Sequence, residues 1–276
     1  MTTRRRFLAA SAASLLAGPL ARAADAAPAL QVQRLGWAGI HLQLGEAHLY
    51  IDPLLDPAVW GPALLDPLTP IATQPGPRFA LVTHRHEDHL DPLALKAALG
   101  TGGTFLSAEA VNAGLLPPGT LSRVAALYEP QLLGDFTAVA VPAADGYGDP
   151  QVSWIVSAGG RRIIHCGDTL WHGHWWRIGR QYGPFDAAFL PINGARFGWR
   201  KPASDVPAVL TPHQAVEAAA ILGARLVVPI HYGIAPSDEY REVPDARAEL
   251  LAAARAKGIG VEIVPSGGWM AWTSRA

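Results

Sequence analysis

The most informative stretch of this chain reads Thr83-His84-Arg85-His86-Glu87-Asp88-His89. It follows directly on a short apolar run, which is typical of a buried strand. Neutral imidazoles together with a carboxylate form a ligand set for Zn²⁺ and similar divalent ions. Because side chains on an extended chain repeat every second residue, His84 and His86 are expected to point the same way. Asp88 and His89 fall on the turn that follows, so the stretch predicts two adjacent pairs of metal ligands.

The segments around this stretch predict a mixed α/β fold. Apolar alternation between residues 35 and 52, interrupted by a Gly45-Glu46 turn, indicates a β-hairpin. Asp91 followed by Pro92 is typical of a helix N-terminus, and this helix is expected to run to residue 99. Further strands are predicted at residues 79–83, 137–141, 152–157, 162–165, 187–190 and 226–229, and further helices at residues 172–181, 211–222 and 244–257. Such an alternation predicts sheet layers covered by helices.

The same stretch also carries a family resemblance, because Thr-His-Arg-His-Glu-Asp-His is similar to the H-x-H-x-D-H signature of the metallo-β-lactamase superfamily. Other segments agree with that family in order: Asp52-Pro53, Val141-Pro142-Ala143, Gly167-Asp168-Thr169, Tyr182-Gly183-Pro184-Phe185-Asp186 and Pro229-Ile230-His231-Tyr232-Gly233. They look most like the branch that contains ascorbate-6-phosphate lactonases and N-acyl-phosphatidylethanolamine phospholipase D. The resemblance implies an αβ/βα four-layer sandwich, in which two mixed β-sheets are flanked by helices.

The resemblance further implies a site for two divalent ions, with Zn²⁺ the leading candidate and Mn²⁺ or Fe as alternatives. The implied ligands are His84 and His86 at the first metal, Asp88, His89 and His231 at the second, and Asp168 between the two. Asp168 and His231 each follow an apolar run as well, and the ends of strands are where sites collect in α/β proteins.

One position departs from the family pattern. Where the family places a histidine two residues after Val141-Pro142-Ala143, this chain has Asp145. Three interpretations are open: Asp145 ligates the first metal directly and favours harder ions such as Mn²⁺, it orients a ligating histidine, or the first site is weak and the protein is mononuclear. Direct ligation is the leading interpretation.

The predicted activity is hydrolysis of an ester, lactone or phosphodiester by a metal-activated water. Asp88 is expected to orient that water as well as to ligate. His174, in the segment Trp171-His172-Gly173-His174-Trp175-Trp176, is a candidate proton donor to the leaving group, with His172, Tyr232 or a metal-bound water as alternatives. Equally open is that His172 and His174 are surface residues at the start of a helix. The tryptophans of this segment are candidates for an apolar pocket wall. Two other functions stay open: a member that binds a metal or ligand without turnover, motivated by Asp145, and an iron-dependent redox protein.

Composition restricts the partners of the chain. Its 276 residues include 22 Lys and Arg against 23 Asp and Glu, and the lysines are far apart, whereas a nucleic-acid surface needs clustered basic residues. We therefore expect a small-molecule or lipid-like substrate and no nucleic acid. Arg196, Arg200 and Lys201 are a candidate group for one phosphate or carboxylate, with a solvated loop as the alternative. The single cysteine, Cys166, excludes an intramolecular disulfide and is expected to be buried.

The N-terminal segment predicts export. Thr3-Arg4-Arg5-Arg6-Phe7-Leu8 precedes a weakly apolar run at residues 9–20 and the small-residue site Ala21-Arg22-Ala23. Paired arginines followed by Phe-Leu resemble a twin-arginine signal, which exports folded proteins. The apolar run is well short of the roughly 20 residues of a membrane span. We expect a signal peptide at residues 1–23, a hydrolase domain at residues 24–276 without a transmembrane segment, and a periplasmic or secreted protein with 18 basic and 23 acidic residues.

Overall fold

Two β-sheets, formed by successive parts of the chain, pack face to face. The computed structural model describes residues 28–273, so the predicted signal peptide lies outside the described residues. The first sheet contains β1 (Gln31–Gly36), β2 (Gly39–Leu44), β3 (Ala47–Ile51), β4 (Arg78–Val82), β5 (Thr104–Ser107) and β6 (Leu121–Val124), in that spatial order. The strands β1 to β3 pair antiparallel and β3 to β6 pair parallel, so this sheet is mixed.

The second sheet is also mixed. The remaining strands are β7 (Pro130–Leu133), β8 (Phe136–Pro142), β9 (Val152–Ala158), β10 (Arg161–His165), β11 (Phe185–Pro191), β12 (Arg196–Phe197), β13 (Ala224–Ile230), β14 (Tyr240–Arg241) and β15 (Gly260–Val261). Seven of them form the second sheet in the order β15-β13-β11-β10-β9-β8-β7, and β12 pairs with β14 as a separate two-stranded ribbon. The neighbours β10, β11, β13 and β15 are parallel, and β7 to β10 are antiparallel.

Helices cover the outer face of each sheet. They are α1 (Pro92–Leu99), α2 (Trp175–Tyr182), α3 (Pro212–Leu222) and α4 (Ala246–Lys257), with 3₁₀ turns at Pro57–Val59, Gly61–Ala63 and Ala113–Leu115. One buried apolar cluster lies between the sheets, a second joins the other face of the second sheet to α2, α3 and α4, and a third joins β4 and β5 to α1. The layer order is helix, sheet, sheet, helix, which confirms the predicted four-layer sandwich.

Local sequence signals explain where the helices begin and end. The Asp91 carboxylate accepts a hydrogen bond from the Leu93 backbone N–H at the start of α1, as its N-cap pattern predicts. Thr211 and Gln214 form a capping box at the start of α3. The predicted helix at residues 172–181 begins at Trp175 instead, after a turn in which the His172 ring accepts a hydrogen bond from the His174 N–H. Among the described residues no helix is long and apolar enough to cross a membrane.

The outer edge of β1 is covered by a segment from the far end of the described chain. Arg34 donates its backbone N–H to the Gly268 carbonyl at 3.0 Å, and the Met270 N–H donates to the Val32 carbonyl at 2.8 Å. Gln33 and Trp269 form an antiparallel bridge between these bonds. The first sheet is therefore completed by residues that follow the whole second sheet in sequence.

Candidate metal centre

Two groups of potential metal ligands meet where strands of both sheets end. The first group is His84, His86, Asp145 and Asp168, and the second is Asp88, His89 and His231; within each group the ligand atoms lie within 4.8 Å of one another. The loop after β4 supplies His84, His86, Asp88 and His89, and the segments after β8, β10 and β13 supply Asp145, Asp168 and His231. The structure thus brings together all seven residues that the sequence predicted as ligands.

The histidines of the first group turn one ring nitrogen toward each other and toward Asp168. His84 Nε2 lies 2.8 Å from His86 Nδ1 and 3.3 Å from Asp168 Oδ1. The other nitrogen of each ring is within hydrogen-bond distance of a residue that is not one of the ligands. His84 Nδ1 lies 3.0 Å from Thr83 Oγ1, and His86 Nε2 lies 3.0 Å from Asp149 Oδ2. Donation through these outer nitrogens leaves the inner nitrogens free to bind a metal.

Asp145 has two oxygens with different surroundings. Its Oδ2 accepts hydrogen bonds from the backbone N–H groups of Tyr147 and Asp149, the latter at 3.0 Å. Its Oδ1 is buried, has no hydrogen-bond partner among the described residues, and lies 3.9 Å from His86 Nδ1. One oxygen is therefore fixed by the backbone while the other faces the first group.

Asp168 faces both groups. Its Oδ1 is the oxygen nearest to His84, whereas its Oδ2 lies 3.7 Å from His231 Nε2. The amide of Gln151 holds it from the side, because the Gln151 nitrogen can donate to Asp168 Oδ1 at 2.9 Å while the amide oxygen accepts from the Thr169 N–H at 3.1 Å. In the second group, Asp88 Oδ2 lies 3.8 Å from His89 Nε2 and 3.9 Å from His231 Nε2.

The residues present fit a bound cation. His89 Nε2 and Asp145 Oδ1, one in each group, are buried polar atoms without a hydrogen-bond partner in the part of the chain that the structure describes. Buried polar atoms are costly when they are unsatisfied, and a divalent ion in each group would satisfy both. The donor set of imidazole nitrogens and carboxylate oxygens is the chemistry that such ions bind.

The electrostatics of the centre favour positive charge. The pKa of Asp168 is raised to about 7, chiefly by burial and also by the neighbouring carboxylates of Asp88 and Asp145, against the opposing effect of His89. Burial would lower the pKa of His89, but Asp88 and then Asp52 raise it to about 10. Three carboxylates crowded into a buried volume therefore attract a cation.

Burial also sets the charge of the remaining imidazoles. It is the largest cause that holds the pKa of His84 and of His231 well below the usual range, with other histidines acting in the same direction. Both rings are consequently neutral near pH 7, and neutral imidazole is the form that ligates metals.

Asp52 supports the centre from beneath, a role that the sequence did not reveal. Its fully buried carboxylate accepts hydrogen bonds from the Thr83 N–H at 2.7 Å, from Thr83 Oγ1 at 2.6 Å and from His89 Nδ1 at 2.8 Å. Burial alone would raise the pKa of Asp52, but His89, His165 and Thr83 lower it overall. The available signal was an aspartate that closes an apolar strand, which is an uncommon residue for a buried position.

Trp37 is the second support that sequence reasoning missed. Its indole Nε1–H donates to Asp88 Oδ2 at 3.1 Å, and its ring lies 4.2 Å from the His231 ring between centroids. Trp37, Asp52 and His231 all have positive φ, at 45°, 46° and 55°. Non-glycine residues in this region are strained and cluster at functional sites.

A cavity of about 460 Å³ opens onto the centre. His86, Asp88, Asp168 and His231 face it, and the exposed side chains of Arg85 and Glu87 also contribute to its lining. The rest of the lining is Val59, Trp60, Tyr147, Phe197 and Tyr240. A cavity of this size that is lined by aromatic side chains beside polar groups is typical of a small-molecule site.

Other predicted participants lie elsewhere. His174 is exposed at the start of α2 and is not part of the cavity lining, so its role as a proton donor stays a prediction without support from its position. Trp175 is buried in the core at the start of α2, and none of Trp171, Trp175 and Trp176 lines the cavity. Tyr232 packs under the Arg34 guanidinium, 5.0 Å from the ring centroid, and does not line the cavity either. Cys166 is buried, as predicted.

The basic residues Arg196, Arg200 and Lys201 each donate a hydrogen bond to a backbone carbonyl of the protein. Arg200 donates to the Gly146 carbonyl at 2.6 Å and stacks over the Tyr147 ring at 3.4 Å from the centroid. Arg196 donates to the Asp205 carbonyl, and Lys201 donates to the Gly198 carbonyl. These contacts leave Arg196 and Arg200 lining a separate, smaller cavity of about 210 Å³.

Comparison with known proteins supports the interpretation of this centre. Residues 48–232 match the model of the "Beta-lactamase superfamily domain". A UPF0173 metal-dependent hydrolase of Rubrobacter xylanophilus is 31% identical over 250 residues, covering 84% of this chain and 92% of the relative. One of Thermococcus onnurineus is 27% identical and covers 80% and 95% of the two chains.

Solved structures share the fold. Igni18, described as a metallo hydrolase of Ignicoccus hospitalis, superposes with a TM-score of 0.63 at 21% identity and covers 87% of this chain and 97% of its own. The diiron β-hydroxylase CmlA of Streptomyces venezuelae gives 0.65 at 16% identity and covers 88% of this chain and 54% of its own. From the matched domain and the relatives of similar length, the chain belongs to the metallo-β-lactamase superfamily, among the UPF0173 metal-dependent hydrolases.

Proposed function

We propose that this protein hydrolyses an ester, lactone or phosphodiester with two divalent ions, most readily Zn²⁺, held by the seven residues of the candidate centre. The observation that carries this proposal is the position of Asp168, whose two oxygens face His84 in one group and His231 in the other. A carboxylate placed in this way can bridge two ions. Divalent ions bound here would supply a nucleophilic water near neutral pH and would polarise the substrate oxygen.

The chain's own residues set the geometry for that chemistry. Asp88 faces the cavity, and its Oδ2 is fixed by the Trp37 indole, so this carboxylate can orient the attacking water. Asp52 holds the His89 ring and the backbone of Thr83, and Asp149 holds the His86 ring. Because each ring is held on its outer nitrogen, the inner nitrogens keep their positions through the reaction.

We propose direct ligation by Asp145 rather than an orienting role. The outer nitrogen of His86 is contacted at 3.0 Å by Asp149, so Asp149, and not Asp145, orients the His86 ring. Asp145 instead directs a buried oxygen without a described partner toward the first group. Because it replaces the family's histidine, the first group has two carboxylates, Asp145 and Asp168, beside two histidines, which widens the range of metals to Mn²⁺ and Fe.

The metal content of the purified protein tests this proposal. We expect about two equivalents in the unaltered protein by elemental analysis, about one in Asp145→Ala, and fewer than two in Asp168→Ala, since a bridging ligand serves both sites. Asp135→Ala, which removes an exposed aspartate of the β7–β8 turn, is the matched control and should retain two. One equivalent or none in the unaltered protein would contradict a dinuclear centre.

Measurements on the same purified protein distinguish hydrolysis from two alternative functions. Bound metal without hydrolysis of any ester, lactone or phosphodiester would favour a binding protein without turnover. Air-sensitive iron with a visible absorption band would favour the redox alternative, whose fold neighbour CmlA shares only 16% identity with this chain. The finer resemblance to ascorbate-6-phosphate lactonases and N-acyl-phosphatidylethanolamine phospholipase D stays a prediction.

We also propose that residues 1–23 direct export of the folded, metal-loaded protein through the twin-arginine route. The support is the paired arginines before Phe7-Leu8 and the weakly apolar run after them. Cell fractionation of a strain that produces Arg4→Lys/Arg5→Lys should find the protein retained in the cytoplasm, whereas Arg22→Lys should leave export unchanged. Equal export of all three forms would contradict the proposal.

A further inference from the structure

Aromatic rings form a continuous arc along the cavity. Trp60 contacts Tyr240 with ring centroids 5.2 Å apart, Tyr240 contacts Phe197 at 5.7 Å, and Phe197 contacts Tyr147 at 5.1 Å. Phe197 and Tyr240 are paired across the β12–β14 ribbon, which fixes the middle of the arc. We name these four residues the aromatic arc.

The arc spans the distance between the two ligand groups. At one end Trp60 contacts Trp37 at 5.0 Å, and Trp37 contacts the ligand His231. At the other end Tyr147 contacts the ligand His86 at 5.2 Å, ring edge to ring face. A substrate with its reacting atom between the two groups therefore has aromatic surface beside it along the whole width of the centre.

The charged side chains around the arc provide little positive charge for a substrate. Apart from the ligands, the ionisable groups of the lining are Arg85, Glu87 and the two tyrosines. Arg85 Nε lies 3.1 Å from Glu109 Oε1, and Glu87 adds a negative charge. Arg200 is committed to Tyr147 and to the Gly146 carbonyl. Among the described residues that line the cavity, Arg85 is thus the one arginine or lysine, and its side chain already has an acidic partner.

We propose that the site takes a neutral carboxylic ester or lactone that carries an aromatic or alkyl group, and that this group packs on the aromatic arc. This inference rests on the proposed function and narrows its substrate class. Aromatic pairs in such offset or edge arrangements add to the gain from burying apolar area. A negatively charged substituent would lose its hydration on the aromatic arc without gaining a positively charged partner, so its binding there is disfavoured.

The reaction adds water across the acyl carbon–oxygen bond. The water oxygen bonds to the carbonyl carbon, the bond from that carbon to the alkoxy oxygen breaks, and the alkoxy oxygen takes a proton. An ester yields a carboxylic acid and an alcohol, and a lactone yields a single hydroxy acid. No electrons are transferred, so no further reactant is needed.

Three methyl esters of similar carbonyl reactivity test the preference: methyl 3-phenylpropanoate, methyl propanoate and the anionic methyl hydrogen succinate. The zinc-loaded protein should have a kcat/KM for the phenyl ester at least about tenfold above that for methyl propanoate, the gain from burying roughly one ring, with the succinate lowest. Phe197→Ala should remove most of this difference through KM, Phe197→Leu should retain part of it, and the exposed Trp176→Ala should retain all of it.

Binding without turnover separates this inference from the proposed function. Calorimetric titration of the metal-free protein with 3-phenylpropanamide should show binding that Phe197→Ala weakens and Trp176→Ala does not. Hydrolysis of methyl propanoate or bis(4-nitrophenyl) phosphate in preference to the phenyl ester would overturn the substrate class while the hydrolase proposal stands. Absence of all hydrolysis, with binding of the amide intact and dependent on Phe197, would contradict the hydrolase and support recognition by the arc.

Discussion

Trp37 contacts two ligands of the second group at once, through a hydrogen bond to Asp88 and ring contact with His231. Its side chain is fully buried, and it has a left-handed backbone conformation that a large residue rarely adopts. The surrounding structure therefore holds this residue in place at some cost. Such a cost is retained where a side chain must hold a site in one geometry.

We expect Trp37→Phe to weaken binding of one metal equivalent by about tenfold, the lower end of what loss of an outer support costs. Phenylalanine preserves ring contact with His231 but cannot donate to Asp88, so that carboxylate is freer to move. Competition with a chelator of known affinity measures the change. Trp60→Phe is the matched control, because Trp60 Nε1 has no hydrogen-bond partner among the described residues. Equal metal affinity in Trp37→Phe and the unaltered protein would contradict the role.

The sequence predicted the seven clustered residues but not the side chains that hold them. Spacing within one loop reveals His84 to His89, and strand ends reveal Asp168 and His231. Trp37 is 51 positions from Asp88, and Asp149 is 63 positions from His86. Contacts between such distant residues depend on how the two sheets pack, which no local pattern encodes. The position of His174 could not be judged for the same reason.

At the level of elements, β2 and β3 bury a pair of histidines away from the metal centre. His41 Nε2 lies 2.9 Å from His48 Nδ1, and the His41 ring stacks on Tyr50 at 4.4 Å between centroids. Gln33 and Trp269 complete the surroundings of His41. Burial, with a smaller contribution from His48, lowers the pKa of His41 from 6.5 to about 4.

This pair should make folding stability depend on pH. The unfolded chain binds the His41 proton below pH 6.5 and the folded protein only below about 4, so stability is complete above pH 6.5 and falls as the pH drops toward 4. Between pH 7.5 and 5 the loss for this residue is about 2 kcal/mol. Urea unfolding of metal-free protein at both pH values should show that loss reduced in His41→Phe and unchanged in the exposed His213→Phe. Identical pH dependence in all three proteins would contradict it.

Elements were predictable where burial imposes a pattern. The hairpin, α1, α3 and the central strands of the second sheet are long or strongly apolar, and they lie within a few residues of their predicted bounds. All four residues of β6 are exposed, so it has no apolar periodicity to detect. The paired strands β12 and β14 have two residues each, yet they carry Phe197 and Tyr240 of the aromatic arc. Short strands of this kind are defined by their partners, not by their own sequence.

For the molecule as a whole, the ligands connect the two sheets. His84, His86, Asp88 and His89 follow a strand of the first sheet, and Asp145, Asp168 and His231 follow strands of the second. Ions bound between them would therefore join the two halves of the sandwich. A ligand that binds only the folded state stabilises it in proportion to the logarithm of its concentration.

Removal of metal should accordingly lower the melting temperature. At zinc concentrations about 1,000 times the dissociation constant the stabilisation is about 4 kcal/mol, or roughly 10 °C for a protein of this size. Calorimetry of the protein with zinc and after chelation measures the shift. Asp168→Ala should show a clearly smaller shift, whereas Asp135→Ala should match the unaltered protein. A shift that is equal in Asp168→Ala would mean that zinc acts elsewhere.

The segment that covers the outer edge of β1 has a consequence for biosynthesis. A ribosome completes β1 early and residues 267–270 only after every strand of the second sheet, so the edge of β1 stays open during most of translation. An open strand edge can pair with another nascent chain. A ribosome-stalled chain that ends before Gly267 should therefore associate with neighbouring polypeptides, and this tendency should end once synthesis has passed Met270.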